Sequence, residues 1–297
     1  MAEVSLTKAK VVLLAGGQGL RMREETETRP KPMVEVAGQP ILVHIMRQYA
    51  SYGFKDFVIC LGYRGDVIKK YFLDFHFLTS DFTVNLGSAG GATFHGDIEE
   101  ADWSVTLADT GLSSETGSRF KQIQKYVKGA DLIMLTYGDG LANVDIAKLV
   151  EFHRSHGKIG TVTGVLPPSP FGEMKLSGNT VEVFAEKPNH DDKFINGGFF
   201  VFDQRIFNYV SDATNCSLER DCLKNVAADG ELMMFRHDGF WQCLDTQRDL
   251  VQFQNLLATG KAPWLTESAA QAQAPVPAKM FQSQNQPLSF APPGTSV

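Results

Sequence analysis

Four cysteines in 297 residues are too few for a disulfide-stapled scaffold. Cys60, Cys216, Cys222 and Cys243 form no C-x-x-C pair and no spacing that a zinc site uses, so free, buried thiols are expected. Long apolar runs are also missing. Val11 to Ala15 is the first strongly apolar run and it ends at Gly16-Gly17, too short for a secretory h-region or a membrane span. Basic residues are outnumbered, 28 Lys and Arg against 34 Asp and Glu, which gives a net charge of -6 and a pI near 5.7. That balance excludes the basic footprint of a nucleic-acid binder and disfavours attachment to a membrane surface. A cytoplasmic protein with no nucleic-acid and no membrane partner is expected. No internal repeat of fixed period is visible.

What is present is an ordinary globular composition, 43% hydrophobic and 21% charged. Short β-branched runs alternate with amphipathic stretches, the mark of βαβ units and a mostly parallel sheet flanked by helices, an α/β fold. Strands are expected at Val11 to Ala15, Asp56 to Leu61, Ser104 to Ala108, Asp131 to Tyr137 and Gly160 to Leu166. Helices are expected from Pro40, taken as the first helical position, to Tyr52, and at Gly65 to Phe75, Ser118 to Lys128, Asp145 to His156 and Thr246 to Leu257. The region from Thr83 to Trp103 reads as hairpin-like. From Glu173 onward the period changes to two, in Glu173 to Leu176, Thr180 to Ala185 and Gly198 to Phe202, which predicts an added antiparallel portion.

Residues 1–266 are expected to form the catalytic domain and residues 267–297 a tail. Ala, Gln, Pro and Ser make up 20 of the last 30 residues, with Lys279 the only charge there. Such a segment buries too little apolar surface to offset its ordering entropy and is read as disordered. Met280, Phe281, Leu288 and Phe290 leave a peptide-docking role open.

The first strand runs into Gly16-Gly17-Gln18-Gly19-Leu20-Arg21, and Pro30-Lys31-Pro32 follows. Positions without side chains let backbone amides approach an anion, and Arg21 and Lys31 add full charges, so the loop has the form of a phosphate cradle. Alone it could equally be a structural turn. Met22 stands where a dinucleotide fingerprint needs its third glycine, and no Gly-Lys-Ser/Thr makes a P-loop, so a nicotinamide-dependent oxidoreductase is disfavoured. The two prolines restrict the backbone around Lys31, a restraint that a surface lysine does not need.

Leu14 to Arg21, Arg29 to Glu35 and Gly38 to Leu42 together resemble the opening of the sugar-1-phosphate nucleotidylyltransferases. Cys60 to Gly65, Val105 to Gly111, Thr136 to Gly140, Phe184 to Pro188, Ile195 to Val201 and Gly239 to Thr246 continue the resemblance in order, from about Lys10 to Trp264. They narrow it to the branch whose substrates are CTP and glucose 1-phosphate. The resemblance implies a Rossmann-like mixed sheet, a Mg²⁺ cofactor, a homo-oligomer, and transfer of a cytidylyl group from CTP to α-D-glucose 1-phosphate with release of pyrophosphate. A related transferase for another nucleotide or sugar phosphate, and a sugar-nucleotide sensor without activity, are the alternatives.

By the same resemblance the amides of Gly16, Gly17 and Gly19, together with Arg21, meet the triphosphate. Lys31 stabilises the transition state, and Thr110 and Gly111 belong to the nucleotide side. Arg119 either reaches nucleotide phosphates, in its own or a neighbouring subunit, or is a solvated helix charge. Asp139 and Asp245 match the family's metal positions; alone, the first would read as a turn carboxylate and the second as a helix N-cap. Tyr137, Glu186, Lys187 and Asn196 are expected at the sugar phosphate, although Glu186-Lys187 alone would be an exposed charged pair. Leu20 departs from the family, which usually has Thr there, so a hydroxyl donor toward the triphosphate is missing.

Overall fold

The computed structural model describes residues 8–87, 91–166, 173–177, 180–185 and 194–265. Its centre is a seven-stranded sheet formed by β1 (Ala9–Leu14), β2 (Asp56–Leu61), β3 (Ser104–Asp109), β4 (Leu132–Tyr137), β5 (Gly160–Val165), β6 (Ile195–Phe202) and β7 (Leu232–His237). Their order across the sheet is β7-β5-β6-β4-β1-β2-β3. All neighbours are parallel except β6, which runs antiparallel to both β5 and β4.

The apolar runs of β1, β2 and β4 are continuous because both faces of the sheet are covered. Val11 and Leu13 point into one core with Ile45, Leu149 and Phe253, while Val12 and Leu14 point into the other with Phe120, Ile123 and Phe207. The first core is built with α1 (Ile41–Ser51), α2 (Gly65–Leu73), α4 (Ile146–His156) and α5 (Gln247–Ala258), and the second with α3 (Thr116–Gln122). β1 has β2 on one side and β4 on the other, so the chain's direction of winding reverses there. In open α/β sheets the crevice at the carboxyl ends of such a pair of strands receives ligands.

Several expectations shift. Pro40 caps α1 instead of opening it: its ψ of 138° is extended, because it pairs with Glu35 in a two-residue ladder. Asp74 divides the predicted helix after Gly65 into Gly65–Leu73 and Phe75–Thr79, and the helix expected from Ser118 to Lys128 is Thr116–Gln122 followed by a separate turn, Gln124–Val127. The region after residue 80 is a hairpin, Asp81–Thr83 with Thr93–His95. Glu173–Ser177 and Thr180–Ala185 form the antiparallel pair that the change of period predicts. The third alternating segment, β6, lies inside the main sheet. β7 was not anticipated; it is an edge strand, and Leu232-Met233-Met234-Phe235 offers no alternation to read. The tail expectation falls on residues 267–297, outside the described residues.

Candidate active site

The glycine loop leaves the carboxyl end of β1 and closes in a single turn, Leu20–Met22. Gly19 takes a left-handed φ of 62°, which a side chain there would strain. Thr26 Oγ1 holds the turn from below, donating to the carbonyls of Gly19 (3.1 Å) and Met22 (2.9 Å). Gly17 has open space where a Cβ would stand. Among the described residues no acceptor takes up the amides of Gly17, Gln18 or Gly19, so these donors are left for a ligand. Leu20 is 65% exposed at the rim.

Beneath the loop lies Arg119, 5% exposed, so the solvated-charge reading does not hold. Its Nη1 donates to the Leu61 carbonyl (3.0 Å), Thr110 Oγ1 (2.9 Å) and the Gly111 carbonyl (2.6 Å), and its Nη2 to the carbonyls of Gly16 (3.1 Å) and Leu112 (3.3 Å). One guanidinium thus ties the ends of β1 and β2 to the start of the segment after β3, while adding a cation under the cradle. Thr110 is fully buried, its hydroxyl donating to the Leu61 carbonyl at 2.6 Å, and neither it nor Gly111 lines the cleft. Their place is in the support of Arg119.

Lys31 sits in a tight turn, Lys31–Met33, after the extended Pro30. Its ammonium group donates to Asp139 Oδ2 at 2.8 Å and to Asp245 Oδ1 at 2.6 Å, and Arg21 Nη1 reaches Asp245 Oδ2 at 2.9 Å. Burial alone would lower the Lys31 pKa, but Asp139 and then Asp245 outweigh it and raise it, so the group stays charged. The two carboxylates are 106 positions apart by residue number yet structurally adjacent. Gly140–Ala142, just after Asp139, pairs antiparallel with Trp241–Cys243, just before Asp245, and the Leu244 amide donates to the Asp139 carbonyl at 2.8 Å. Asp245 is not the helix cap. Thr246 caps α5 in a reciprocal box with Asp249, which frees the Asp245 carboxylate for the cleft.

The chemistry of this donor set fits Mg²⁺: two carboxylate oxygens converge on one cation, and Mg²⁺ is usually held by one or two carboxylates with substrate phosphates and water. Among the described residues no group of three or more His, Cys, Asp or Glu could form a protein-only metal cage. Cys243 lies beside the pair, and burial pushes its thiol up to about 12, so it remains a neutral wall. All four cysteines are free.

On the far side of the cleft, Tyr137 at the end of β4 meets Asn196 at the start of β6. Asn196 Nδ2 donates to the Tyr137 hydroxyl at 3.1 Å, and Asn196 Oδ1 accepts from the Gly198 amide at 2.8 Å. The Tyr137 hydroxyl in turn donates to Glu219, a residue that no motif or spacing singles out. Glu219 lies in a wide helical turn, Leu218–Leu223, and its other oxygen accepts from Thr116 Oγ1 and Ser217 Oγ, each at 2.8 Å. Burial works against its ionisation, yet the hydroxyl donors, Tyr137 first, hold its pKa below the usual carboxylate value. Glu186 and Lys187 lie outside the described residues.

Gly16, Gly17, Gly19, Arg21, Lys31, Arg119, Tyr137, Asp139, Glu219 and Asp245 thus all line one cleft of about 840 Å³. None of the helices among the described residues is long and apolar enough to cross a membrane.

The model of a family described as nucleotidyl transferase matches residues 10–260. The chain is 46% identical over 258 residues to a glucose-1-phosphate cytidylyltransferase of Salmonella typhi, covering 86% of this chain and 99% of that protein. It is 39% identical over 255 residues to a probable glucose-1-phosphate cytidylyltransferase of Bacillus subtilis, covering 86% and 98%. Among solved structures, a putative glucose-1-phosphate thymidylyltransferase from Bacillus anthracis superposes with a TM-score of 0.61 at 19% identity, over 87% of this chain and 96% of that one. At that identity the likeness speaks for the fold.

Proposed function

The chain belongs to the nucleotidyl transferase family, and from that footing we propose that it transfers the cytidylyl group of CTP to α-D-glucose 1-phosphate, giving CDP-glucose and pyrophosphate. One observation carries the reading: a loop with unpaired amides faces a lysine held between two carboxylates across a single cleft. An oxygen of the sugar phosphate attacks the α-phosphorus of CTP as the bond to the β-phosphate oxygen breaks and pyrophosphate departs. That oxygen is already anionic, so no general base is needed. The obstacle is the repulsion between two polyanions, and it is met by positioning and positive charge.

In this reading the amides of Gly17 and Gly19, with Arg21 at the rim, hold the triphosphate, and Arg119 stiffens and charges the loop from below. Lys31 supplies a cation at the developing charge on the leaving pyrophosphate. Asp139 and Asp245 would hold Mg²⁺, which supplies charge neutralisation between the two substrates. Tyr137 and Asn196 receive the sugar of glucose 1-phosphate. We place the reaction in the cytoplasm and read the protein as a homo-oligomer. The exposed Phe77, Leu78, Phe82 and Leu86 support the second point, because water is an unfavourable neighbour for so much apolar surface.

The test is to follow pyrophosphate release with Mg²⁺, glucose 1-phosphate and each of the four ribonucleoside triphosphates in turn. Turnover with CTP well above the others is expected. Turnover with a different nucleotide and none with CTP would overturn the assignment of the base.

A further inference from the structure

Glu219 poses a problem for a cleft that admits two polyanions. A carboxylate lining the same cleft as the glycine loop raises the electrostatic cost of binding phosphates, so its contribution has to be sought elsewhere. Its hydrogen bonds supply that contribution. The Gly198 amide can only donate, so Asn196 presents its oxygen to Gly198 and its NH₂ group to Tyr137. An ionised Glu219 can only accept, so the Tyr137 hydroxyl must spend its one proton on Glu219. Thr116 and Ser217 both donate to the other Glu219 oxygen, and with Tyr137 they hold its pKa below the usual carboxylate value. The Thr116 hydroxyl oxygen already accepts from the Leu218 amide at 2.9 Å and the Ser217 hydroxyl oxygen from the Arg220 amide at 3.2 Å, so both are free to donate to Glu219.

We propose that Glu219 is a specificity-determining positioning residue: it fixes Tyr137 as an acceptor toward the cleft, so that the site selects a substrate carrying a hydroxyl donor at that point over its deoxy analogue. The inference rests on the substrates proposed above. A hydroxyl donor comes either from the hexose of the sugar phosphate or from the ribose of the nucleotide, and the two sources share this chemistry. A site arranged to pair a substrate hydroxyl rejects an analogue lacking it, because the Tyr137 oxygen, which already accepts from Asn196, then loses its second donor.

The experiment compares kcat/KM for glucose 1-phosphate with that for its 2-, 3-, 4- and 6-deoxy analogues, and for CTP with that for 2′-deoxy-CTP. The proteins are the wild type, Glu219→Gln, Tyr137→Phe and the double variant. For one of these hydroxyls the wild type should discriminate by roughly tenfold or more. Glu219→Gln should reduce that one preference by roughly tenfold and leave the other ratios unchanged. Adding it to Tyr137→Phe should have no further effect, since both act through one hydroxyl. The analogue that responds tells hexose from ribose.

Equal losses for hydroxyl and deoxy substrates, or full additivity of the two variants, would overturn the proposal. Thermal unfolding of each variant separates a loss of folded protein from a loss of discrimination. The same ratios can be read as affinities by calorimetry. Absence of CTP turnover would therefore count against the proposed reaction, while unchanged affinity ratios would count against the role of Glu219.

Discussion

Gly16 and Arg119 occupy adjoining space with no room between them: a Cβ on Gly16 would overlap the guanidinium, whose Nη2 also bonds the Gly16 carbonyl at 3.1 Å. Gly62 is bound by the same constraint, since its Cβ would lie 2.5 Å from Arg119 Nη1 and 2.6 Å from the Gly16 carbonyl oxygen. These two glycines are therefore set by packing against an arginine. Gly17 is the one whose open side faces the cleft.

The two kinds of glycine should separate on substitution. Gly16→Ala is expected to destabilise the protein by about 1–3 kcal/mol, as overpacking does, and to weaken CTP binding with it. Gly17→Ala should leave the urea midpoint close to that of the wild type while raising the KM for CTP. Parallel denaturation and kinetics on both variants check this.

Lys31 donates to the two carboxylates that would hold Mg²⁺ in the proposed reaction, so lysine and metal would compete for them in the absence of substrate. Lys31→Met should lower kcat by a factor on the order of 10²–10³, the usual loss when one electrostatic donor is removed from a reacting centre. It should also make the rise in Tm on adding Mg²⁺ larger than in the wild type, because Asp139 and Asp245 lose the cation they share and only Arg21 remains, on Asp245. Chelating Mg²⁺ should stop pyrophosphate release in the wild type. An equal Mg²⁺-induced shift in both proteins would argue that the metal binds elsewhere.

Asp249 reaches past the cap of α5 to the backbone behind Asp245: its Oδ2 accepts from the amides of Asp245 (3.0 Å) and Thr246 (2.7 Å). Asp249→Ala is expected to cost about 0.5–2 kcal/mol through loss of the capping box. It should also lower kcat/KM about tenfold, because Asp245 loses the bond that aims its carboxylate. Thr246→Ala removes the cap but leaves that bond, so it should show the stability loss with a smaller kinetic effect.

Stability should fall as the solution is acidified, and two histidines set the range. Burial holds His44 and His153 down to about 4 from an ordinary 6.5, so both are neutral in the folded protein. His153 Nδ1 and His156 Nε2 share the Thr161 hydroxyl at 2.9 and 2.8 Å, and the Lys158 amide donates to His156 Nδ1 at 2.9 Å. His156 must then donate to Thr161, and Thr161 to His153, which requires the His153 Nδ1 to carry no proton. As pH falls, the unfolded chain takes up protons first. The contribution of these groups is thus whole above about 6.5 and is lost progressively toward 4, amounting to a few kcal/mol in all, order of magnitude. Urea midpoints at about pH 7 and about pH 5 should show the drop, and it should be smaller in His153→Gln.

The parts of the site that sequence made legible are those where chemistry and position are set locally. A strand running into Gly16-Gly17-Gln18-Gly19, and a lysine clamped by Pro30 and Pro32, state their geometry within a few residues. Asp139 follows a recognisable strand end. Asp245 was reached only through resemblance, because nothing local distinguishes it from the cap residue beside it. Arg119, among Lys121, Lys125 and Lys128, reads equally well as a phosphate ligand or a surface charge; its burial depends on the Gly16 and Gly62 backbones, which lie far away in sequence. Glu219 carried no signal because its meaning lies in Tyr137, 82 positions earlier. Edge strand β7 is 45% exposed at Met234, so burial never impressed a period on it.

The single reversed strand, β6, has an evolutionary consequence. Val165 at the end of β5 pairs with Ile195 at the start of β6, so the chain leaves and re-enters the sheet at one point, on the rim where Asn196 meets Tyr137. Among the described residues between Val165 and Ile195, Glu173–Ser177 and Thr180–Ala185 pair with each other and with no strand of that sheet. That pair therefore shares no register with the seven-stranded sheet, and its sequence is free of the constraint that aligns those strands. A scaffold so divided can exchange the molecule that receives the nucleotide while inheriting unchanged the machinery that activates it.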